Sequence, residues 1–270
     1  MIAPATQQRR PLSRIAKILL PLATLCIGIA IWALLVRLFE LPPYILPGPG
    51  LVAQTLVEDG ALLWGSLAVT MLTALQGFLA AVIVGVALAL AFSQSKWMEY
   101  CLLPYAVVLQ VTPVIAIAPL LLIYLPQHVA VVVCAWIVAF FPVLSNTTLG
   151  LKSADRHLVG LFDLYGASRW QKLRFLRFPA ALPYLMGGLR IAGGLSLIGA
   201  VVAEIAAGAS GAGSGLAYRI AESGYRLNIP RMFAALLLLS LAGVVIYMVL
   251  ALVSHLVLRR WHESALEKDA

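Results

Sequence analysis

Two charged side chains inside one long apolar run are the residues of this chain best placed to do chemistry. Glu204 lies near the end of the run Ala180–Ala207, and Arg190 lies in its first half. A charge inside an apolar membrane segment is costly and usually faces protein or water. Two interpretations of Glu204 stay open: a hydrogen bond to an outer loop, or a gate or pathway residue. The Arg190 side chain could extend to the membrane surface or pair with a helix end.

No catalytic, cofactor or metal constellation is recognisable. The glycine-rich stretch Gly208–Gly215 lacks the Lys-Ser/Thr that holds phosphate and magnesium in a phosphate-binding loop, so it is interpreted as a flexible outer loop. The four histidines are scattered, and there is no Gly-x-Ser-x-Gly nucleophile turn. The sequence therefore predicts no catalytic residue, no metal site and no bound cofactor, and it disfavours an intramembrane enzyme.

The composition indicates an integral membrane protein. Of 270 residues, 62% are hydrophobic and 11% are charged, whereas soluble domains carry roughly 25% charged residues. The net charge of +8 resides in short loops between apolar runs, which favours a role in membrane orientation over nucleic-acid binding. Runs of this length predict an all-α fold that crosses the bilayer several times.

Six apolar segments are predicted to cross, with both termini in the cytoplasm because the basic loops alternate with less basic ones. Residues 1–17 and 259–270 would be cytoplasmic, and 18–258 would form the membrane domain. Three arginines in the predicted outer loop Gly208–Arg231 do not fit this charge rule. The predicted crossings are Ile18–Val36, Trp64–Phe92, Leu102–Leu125, Val129–Leu149, Ala180–Ala207 and Met232–Leu258.

Prolines and small residues shape these segments. The first loop, Phe39–Leu63, is expected to be extended because it holds four prolines. Pro113 and Pro119 interrupt the third crossing, which is either a kinked structural helix or a pore-lining one. In the second crossing, small residues recur every four positions and predict a closely crossing helix; they are Thr73, Gly77, Ala81, Gly85, Ala89 and Ser93.

The most basic loop, residues 150–178, carries a recognisable motif. Gly166-Ala167-Ser168-Arg169-Trp170, followed by Leu176-Arg177-Phe178-Pro179, resembles the cytoplasmic motif of the permease subunits of bacterial ABC importers. That motif reads Glu-Ala-Ala, three residues, Gly, nine residues, Ile-x-Leu-Pro; Gly160-Leu161-Phe162 replace its first part. The flanking Pro179–Pro183 and Gly188-Leu189-Arg190 resemble the branch that imports nitrate, sulfonates, taurine or thiamine-precursor pyrimidines.

The resemblance implies a type I ABC importer permease in the bacterial inner membrane. It implies a second permease copy, two cytoplasmic ATPase subunits that bind ATP and Mg²⁺, and an extracytoplasmic solute-binding protein. A short helix around Asp155–Trp170 would dock on the ATPase and meet the fifth crossing at Pro179. The implied coupling residues are Asp163, Gly166, Ala167, Ser168, Arg169, Trp170 and Pro179.

Three interpretations of the chain stay open. The candidate gate or pathway residues are Glu204, Arg190, Pro113 and Pro119. The basic loop could instead serve membrane orientation alone. The main alternative function is an ion-driven secondary transporter that works without an ATPase, which needs ionisable residues near mid-membrane.

Overall fold

Residues 14–208 and 213–259 are described by the computed structural model, and this part of the chain contains helices and short connections but no strand. The helices are α1 (Arg14–Leu38), α2 (Pro49–Glu58), α3 (Gly60–Gln94), α4 (Lys96–Val111), α5 (Val114–Tyr124), α6 (Gln127–Lys152), α7 (Arg156–Leu164), α8 (Arg169–Lys172), α9 (Phe178–Ala207), α10 (Leu216–Tyr225) and α11 (Ile229–Leu258). A π-helical turn, Leu173–Arg177, joins α8 to α9. The predicted cytoplasmic residues 1–13 and 260–270 lie outside the described residues.

Five helical segments are long and apolar enough to cross a bilayer, or six if α4 and α5 together form one span. The five are α1, α3, α6, the continuous segment Arg169–Ala207 that includes α8 and α9, and α11. This finding confirms the prediction of an all-helical membrane fold.

The third predicted crossing, Leu102–Leu125, is not one continuous helix. The chain bends by 100° between α4 and α5. Thr112, the residue before Pro113, has φ −74° and ψ 122°, because the proline ring disfavours the helical conformation at the preceding residue. Pro104 and Pro119 lie inside α4 and α5 without breaking them. The segment is therefore a broken span or a re-entrant pair.

The proline-rich segment after α1 is also more helical than predicted. The expectation of extended chain fails from Pro49, which starts α2, and α3 begins at Gly60 rather than at Trp64. Proline suits the first turn of a helix, since the N–H that it lacks has no partner there in any case.

Helix α6 lies between α3 and α9, and both approach it at the same residue. A Cβ added at Gly77 of α3 would lie 2.5 Å from the Cβ of Ala135. A Cβ added at Gly199 of α9 would lie 2.8 Å from the Cα of Ala135. Such separations are closer than any real side chain allows, so the helices touch backbone to backbone. The small-residue row of α3 thus marks a closely crossing partner, as predicted.

Candidate functional site

Helix α7 lies at the edge of the bundle. Asp155 caps it by accepting a hydrogen bond from the backbone N–H of His157 at 2.7 Å. None of its residues is buried, and Leu158, Leu161 and Leu164 on its apolar side are 45%, 46% and 86% exposed. An amphipathic helix with an uncovered apolar face is suited to docking in a groove of another protein.

A left-handed glycine ends α7. Gly166 has φ +67°, a conformation in which a Cβ would clash with the backbone. The backbone N–H of Gly166 donates a hydrogen bond to the backbone carbonyl of Asp163 at 3.0 Å. The backbone N–H of Ala167 donates to the backbone carbonyl of Phe162 at 2.9 Å. These two bonds form a Schellman motif, which satisfies carbonyls at the helix end. Apart from this strain within its own backbone, a Cβ added at Gly166 would meet no other described residue within 4 Å.

Ser168 starts the next helix through a capping box with Gln171. The Ser168 hydroxyl accepts from the Gln171 backbone N–H at 3.3 Å, and the Gln171 side chain accepts from the Ser168 backbone N–H at 2.7 Å. Lys172 in α8 forms an ion pair with Asp163 in α7 and so closes the turn. We call the region from α7 to α8, residues 156–172, the coupling hairpin.

The structure brings together six of the seven predicted coupling residues. Asp163, Gly166, Ala167, Ser168, Arg169 and Trp170 all lie at the turn or directly beside it. Pro179 does not, because it lies inside the continuous segment Arg169–Ala207. Helix α9 does begin beside Pro179, which lies in its first turn, but the chain changes direction earlier, at Gly166–Ser168. The π-helical turn before Pro179 is marked by a hydrogen bond from the backbone N–H of Phe178 to Leu173.

Glu204 lies at the other end of α9, with a side chain buried among three helices. Its residue is 5% exposed. The Thr70 hydroxyl in α3 donates to Oε2 of Glu204 at 2.8 Å, and the Ala217 backbone N–H in α10 donates to the same oxygen at 3.2 Å. The backbone N–H of Leu216 donates to the Thr70 hydroxyl at 2.7 Å. Glu204 and Thr70 therefore cap the first turn of α10, whose N-cap Gly215 has no side chain to do so.

Gly215 touches the Glu204 carboxylate directly. A Cβ added at Gly215 would lie 2.1 Å from Cδ of Glu204, so only glycine fits while the carboxylate keeps its position. Oε1 of Glu204 is buried without a hydrogen-bond partner in the described part of the chain. Beside this contact lies a cavity of about 350 Å³ that Gln127 and His128 also line. The structure thus shows the hydrogen bond to the segment after α9 that was one of the two interpretations of Glu204.

The predicted outer loop Gly208–Arg231 is not loop throughout, because Leu216–Tyr225 form helix α10. Arg219, Glu222 and Arg226 form ion pairs along α10 at 2.8 and 3.0 Å. Arg231 forms two hydrogen bonds with Asp59 at 2.6 and 2.9 Å. These pairs account for three arginines in a predicted outer segment. The three- and four-residue spacing of the charges in α10 was the available sequence signal for a helix. Thr70 was missed because one threonine in an apolar helix gives no signal.

The other candidate pathway residues are not gathered around Glu204. Arg190 precedes Glu204 by 14 residues on α9, about 21 Å along the axis, so the two side chains are too far apart to pair. The Nε atom of Arg190 is buried and has no hydrogen-bond partner among the described residues. Pro113 marks the bend and Pro119 is exposed on α5. No cluster of His, Cys, Asp or Glu within the described ranges could hold a metal ion.

Comparison with known proteins identifies the family. The model of the binding-protein-dependent transport system inner membrane component matches residues 77–263. The riboflavin transport system permease protein RibX of Chloroflexus aurantiacus is 33% identical over 89% of this chain and 89% of its own. The formylaminopyrimidine transport permease protein ThiX of Halalkalibacterium halodurans is 32% identical over 79% of this chain and 84% of its own. A crystal structure of an amino acid ABC transporter with histidines shares the fold, with a TM-score of 0.61 and 19% identity over 75% of this chain and 97% of that one. This chain belongs to the family of binding-protein-dependent transport system inner membrane components and is a multi-pass permease subunit of an ABC importer.

Proposed function

We propose that this permease forms half of a dimeric translocation path that a separate ATPase drives. Two copies of the chain would meet two ATPase subunits, which bind the ATP and Mg²⁺, and a solute-binding protein would deliver the substrate outside the membrane. The family supports the kinds of partner. The copy numbers and the pairing of identical permease chains are part of the proposal.

The coupling hairpin is the observation that carries this proposal. Its apolar residues Leu158, Leu161 and Leu164 remain partly or largely exposed in the described chain, and an exposed apolar patch usually marks an interaction surface. We assign Asp163, Gly166, Ala167, Ser168, Arg169 and Trp170 to ATPase docking through this hairpin. With six crossings, the hairpin between the fourth and fifth lies on the same side as both termini, which is the cytoplasmic side by the charge rule.

The proposal assigns α5 and α9 to the translocation path. Helix α5 packs on α6 and α9, with Ala118 of α5 buried in the same cluster as Ala200 and Ala203 of α9. Arg190 and Glu204, together with Pro113 and Pro119, are the pathway or gate residues that we propose. An ionisable group at membrane depth is by default a functional candidate, and Arg190 has a buried Nε without a partner in the described chain.

A nitrogen heterocycle is the substrate class that the relatives favour. RibX is named for riboflavin and ThiX for formylaminopyrimidine, and both exceed 30% identity over most of this chain. We therefore rank a heterocyclic vitamin or vitamin precursor above a small sulfonate or nitrate. Measuring which of these solutes the cognate binding protein retains tests this ranking, and selective retention of a sulfonate or nitrate would reverse it.

The coupling role of the hairpin is tested at Gly166. Gly166→Val places a β-branched residue at φ +67°, where L-residues are strained by about 1–2 kcal/mol, so the hairpin should change shape. We expect normal membrane insertion but at least a tenfold loss of ATP-dependent uptake and of ATPase co-purification. Gly65→Val is the matched control, because Gly65 lies in a helix outside the hairpin, α3, with open space around it.

Two results would count against the proposal. Undiminished uptake by Gly166→Val at normal expression would remove the hairpin from coupling. Uptake by the purified chain in vesicles without any ATPase, driven by an ion gradient, would favour the secondary-transporter alternative.

A further inference from the structure

Four cations meet in a cavity where the coupling hairpin joins the bundle. The cavity measures about 580 Å³ and lies beside the end of α3. Lys96 enters it from the start of α4, Arg169 and Lys172 from α8, and Arg177 from the π-helical turn. These residues come from two stretches more than 70 positions apart in the sequence. The fold therefore assembles a basic site that no single segment contains.

Two of these cations are held in place and two are without partners. Arg177 donates a hydrogen bond to the backbone carbonyl of Ser93 at 3.2 Å, and Lys172, whose side chain is 18% exposed, pairs with Asp163. Lys96 and Arg169 have no ion-pair or hydrogen-bond partner in the described ranges. One carboxylate against four cations leaves an excess of three positive charges. An anion in the cavity would relieve their mutual repulsion.

A second cavity, of about 560 Å³, continues the basic surface on the other side of Arg177. It shares Lys96 and Arg177 with the first cavity and adds Lys152 and Arg156, while Glu99 in its wall pairs with Lys152. The continuation widens the positive field without adding an unpaired carboxylate. A site of this extent suits a phosphodiester headgroup better than one small ion.

The depth of the cavity in the membrane points to lipid. Lys96 is the second residue after α3 ends, and Arg177 directly precedes α9, so the cavity lies level with the ends of two crossing helices. Trp97 and Tyr100 beside it are 74% and 75% exposed. Exposed tryptophan and tyrosine at the ends of spans are typical of the headgroup layer.

We propose that the first cavity, lined by Lys96, Arg169, Lys172 and Arg177, binds the phosphate of an anionic phospholipid, such as phosphatidylglycerol or cardiolipin. Basic pockets between membrane helices on the cytoplasmic side are suited to such headgroups. Bound lipid would fix the base of α9 to the leaflet beside the coupling hairpin. The inference depends on the membrane fold alone and does not require the proposed substrate or coupling role.

The test measures lipid retained by the purified full-length chain, with no ATPase or solute present. Native mass spectrometry after extraction with a mild detergent counts bound phosphatidylglycerol against phosphatidylcholine. We expect wild type to retain the anionic lipid selectively and Lys96→Gln/Arg169→Gln to lose about tenfold or more of that affinity, since each basic residue near the surface contributes about fivefold. Arg174→Gln/Arg259→Gln is the matched control; it removes the same charge at the same end of the bundle from residues that do not line either cavity.

Each outcome decides the proposal. Loss in the cavity variant, with retention in the control and in the charge-conserving Lys96→Arg/Arg169→Lys, supports the site. Equal loss in both double variants would show a general surface-charge effect and overturn it. Binding of inorganic phosphate, seen as thermal stabilisation, without selective lipid retention would overturn the lipid source. Unchanged lipid retention by the cavity variant would overturn the proposal. If the same variant also lost ATPase co-purification in the complete complex, the cations would be assigned to an acidic protein surface instead.

Discussion

The contact between Gly215 and Glu204 gives a sharp test of the α10 cap. Gly215 has φ −73° and ψ 171°, which any L-residue adopts, so Gly215→Ala adds a methyl group without backbone strain. The three atoms closest to that methyl group are all in the Glu204 carboxyl group, at 2.1 to 2.2 Å. Ordinary contact begins at 3.4 Å, so the carboxyl group must move by more than about 1 Å, beyond hydrogen-bond tolerance.

The expected loss in the free energy of unfolding is about 3 kcal/mol. Overpacking a buried site costs about 1–3 kcal/mol, and leaving a buried hydrogen-bonding group without its partner costs about 1–3 kcal/mol. Glu204→Ala alone should cost about 2–4 kcal/mol, because it removes the bonds from Thr70 and Ala217. In the double variant the methyl group fills the space that the carboxyl group left. The double variant should therefore be within about 0.5 kcal/mol of Glu204→Ala.

The measurement is reversible unfolding in mixed micelles, titrated with a denaturing detergent, for all four members of the cycle. Gly213→Ala is the matched control, since no other part of the described chain lies within 4 Å of a Cβ added at Gly213. It should change stability by less than about 0.5 kcal/mol. Additive losses in the double variant would refute the direct contact. A Gly215→Ala variant as stable as Gly213→Ala would do the same.

Three further predictions follow from close packing, capping and ion pairing. Gly199→Ala should destabilise the chain by about 1–3 kcal/mol, because its methyl group would lie 2.8 Å from the α6 backbone. Gly194→Ala, in open space on the same helix, should be neutral or stabilising. Equal effects of the two substitutions on stability would contradict the packing. Ser168→Ala should cost about 1 kcal/mol at the start of α8, seen as faster amide exchange there and not in α11; unchanged exchange at that turn would argue against the capping box. Asp59→Asn should lower the free energy of unfolding by about 1–2 kcal/mol, because it leaves the partly buried Arg231 without its carboxylate. The difference from wild type should shrink at high salt. A salt-independent difference would show that the charge is not responsible.

Local signals in the sequence were sufficient for the long apolar helices and for the close approach of a partner to α3. The four-residue spacing that includes Gly77 needs only helical geometry to define a face. These features depend on neighbours within a few turns, so the sequence alone carries the information.

Features that depend on distant partners could not be predicted in this way. Pro104, Pro113 and Pro119 lie in similar apolar sequence, yet only Pro113 marks a break, because tertiary packing decides whether the carbonyls freed by a proline are satisfied. Glu204 bonds to Thr70, 134 positions away in the sequence. A glycine-rich segment read alone indicates flexibility, and only the fold shows that Gly215 is required for contact with a carboxylate.

The two ends of the segment Arg169–Ala207 limit where motion can occur during transport. From Arg177 to Glu204 the helix extends about 40 Å, so a tilt of about 10° at the π-helical turn would displace Glu204 by about 7 Å. The hydrogen bond from Thr70 at 2.8 Å cannot survive such a displacement unless α3 moves with α9. Because Gly77 and Gly199 have no side chain, α3 and α9 both pack closely against Ala135 of α6. A packed interface of this kind resists sliding. We therefore expect α3, α6 and α9 to move as one body. In the proposed dimer, alternating access would then arise between the two permease copies rather than between these three helices.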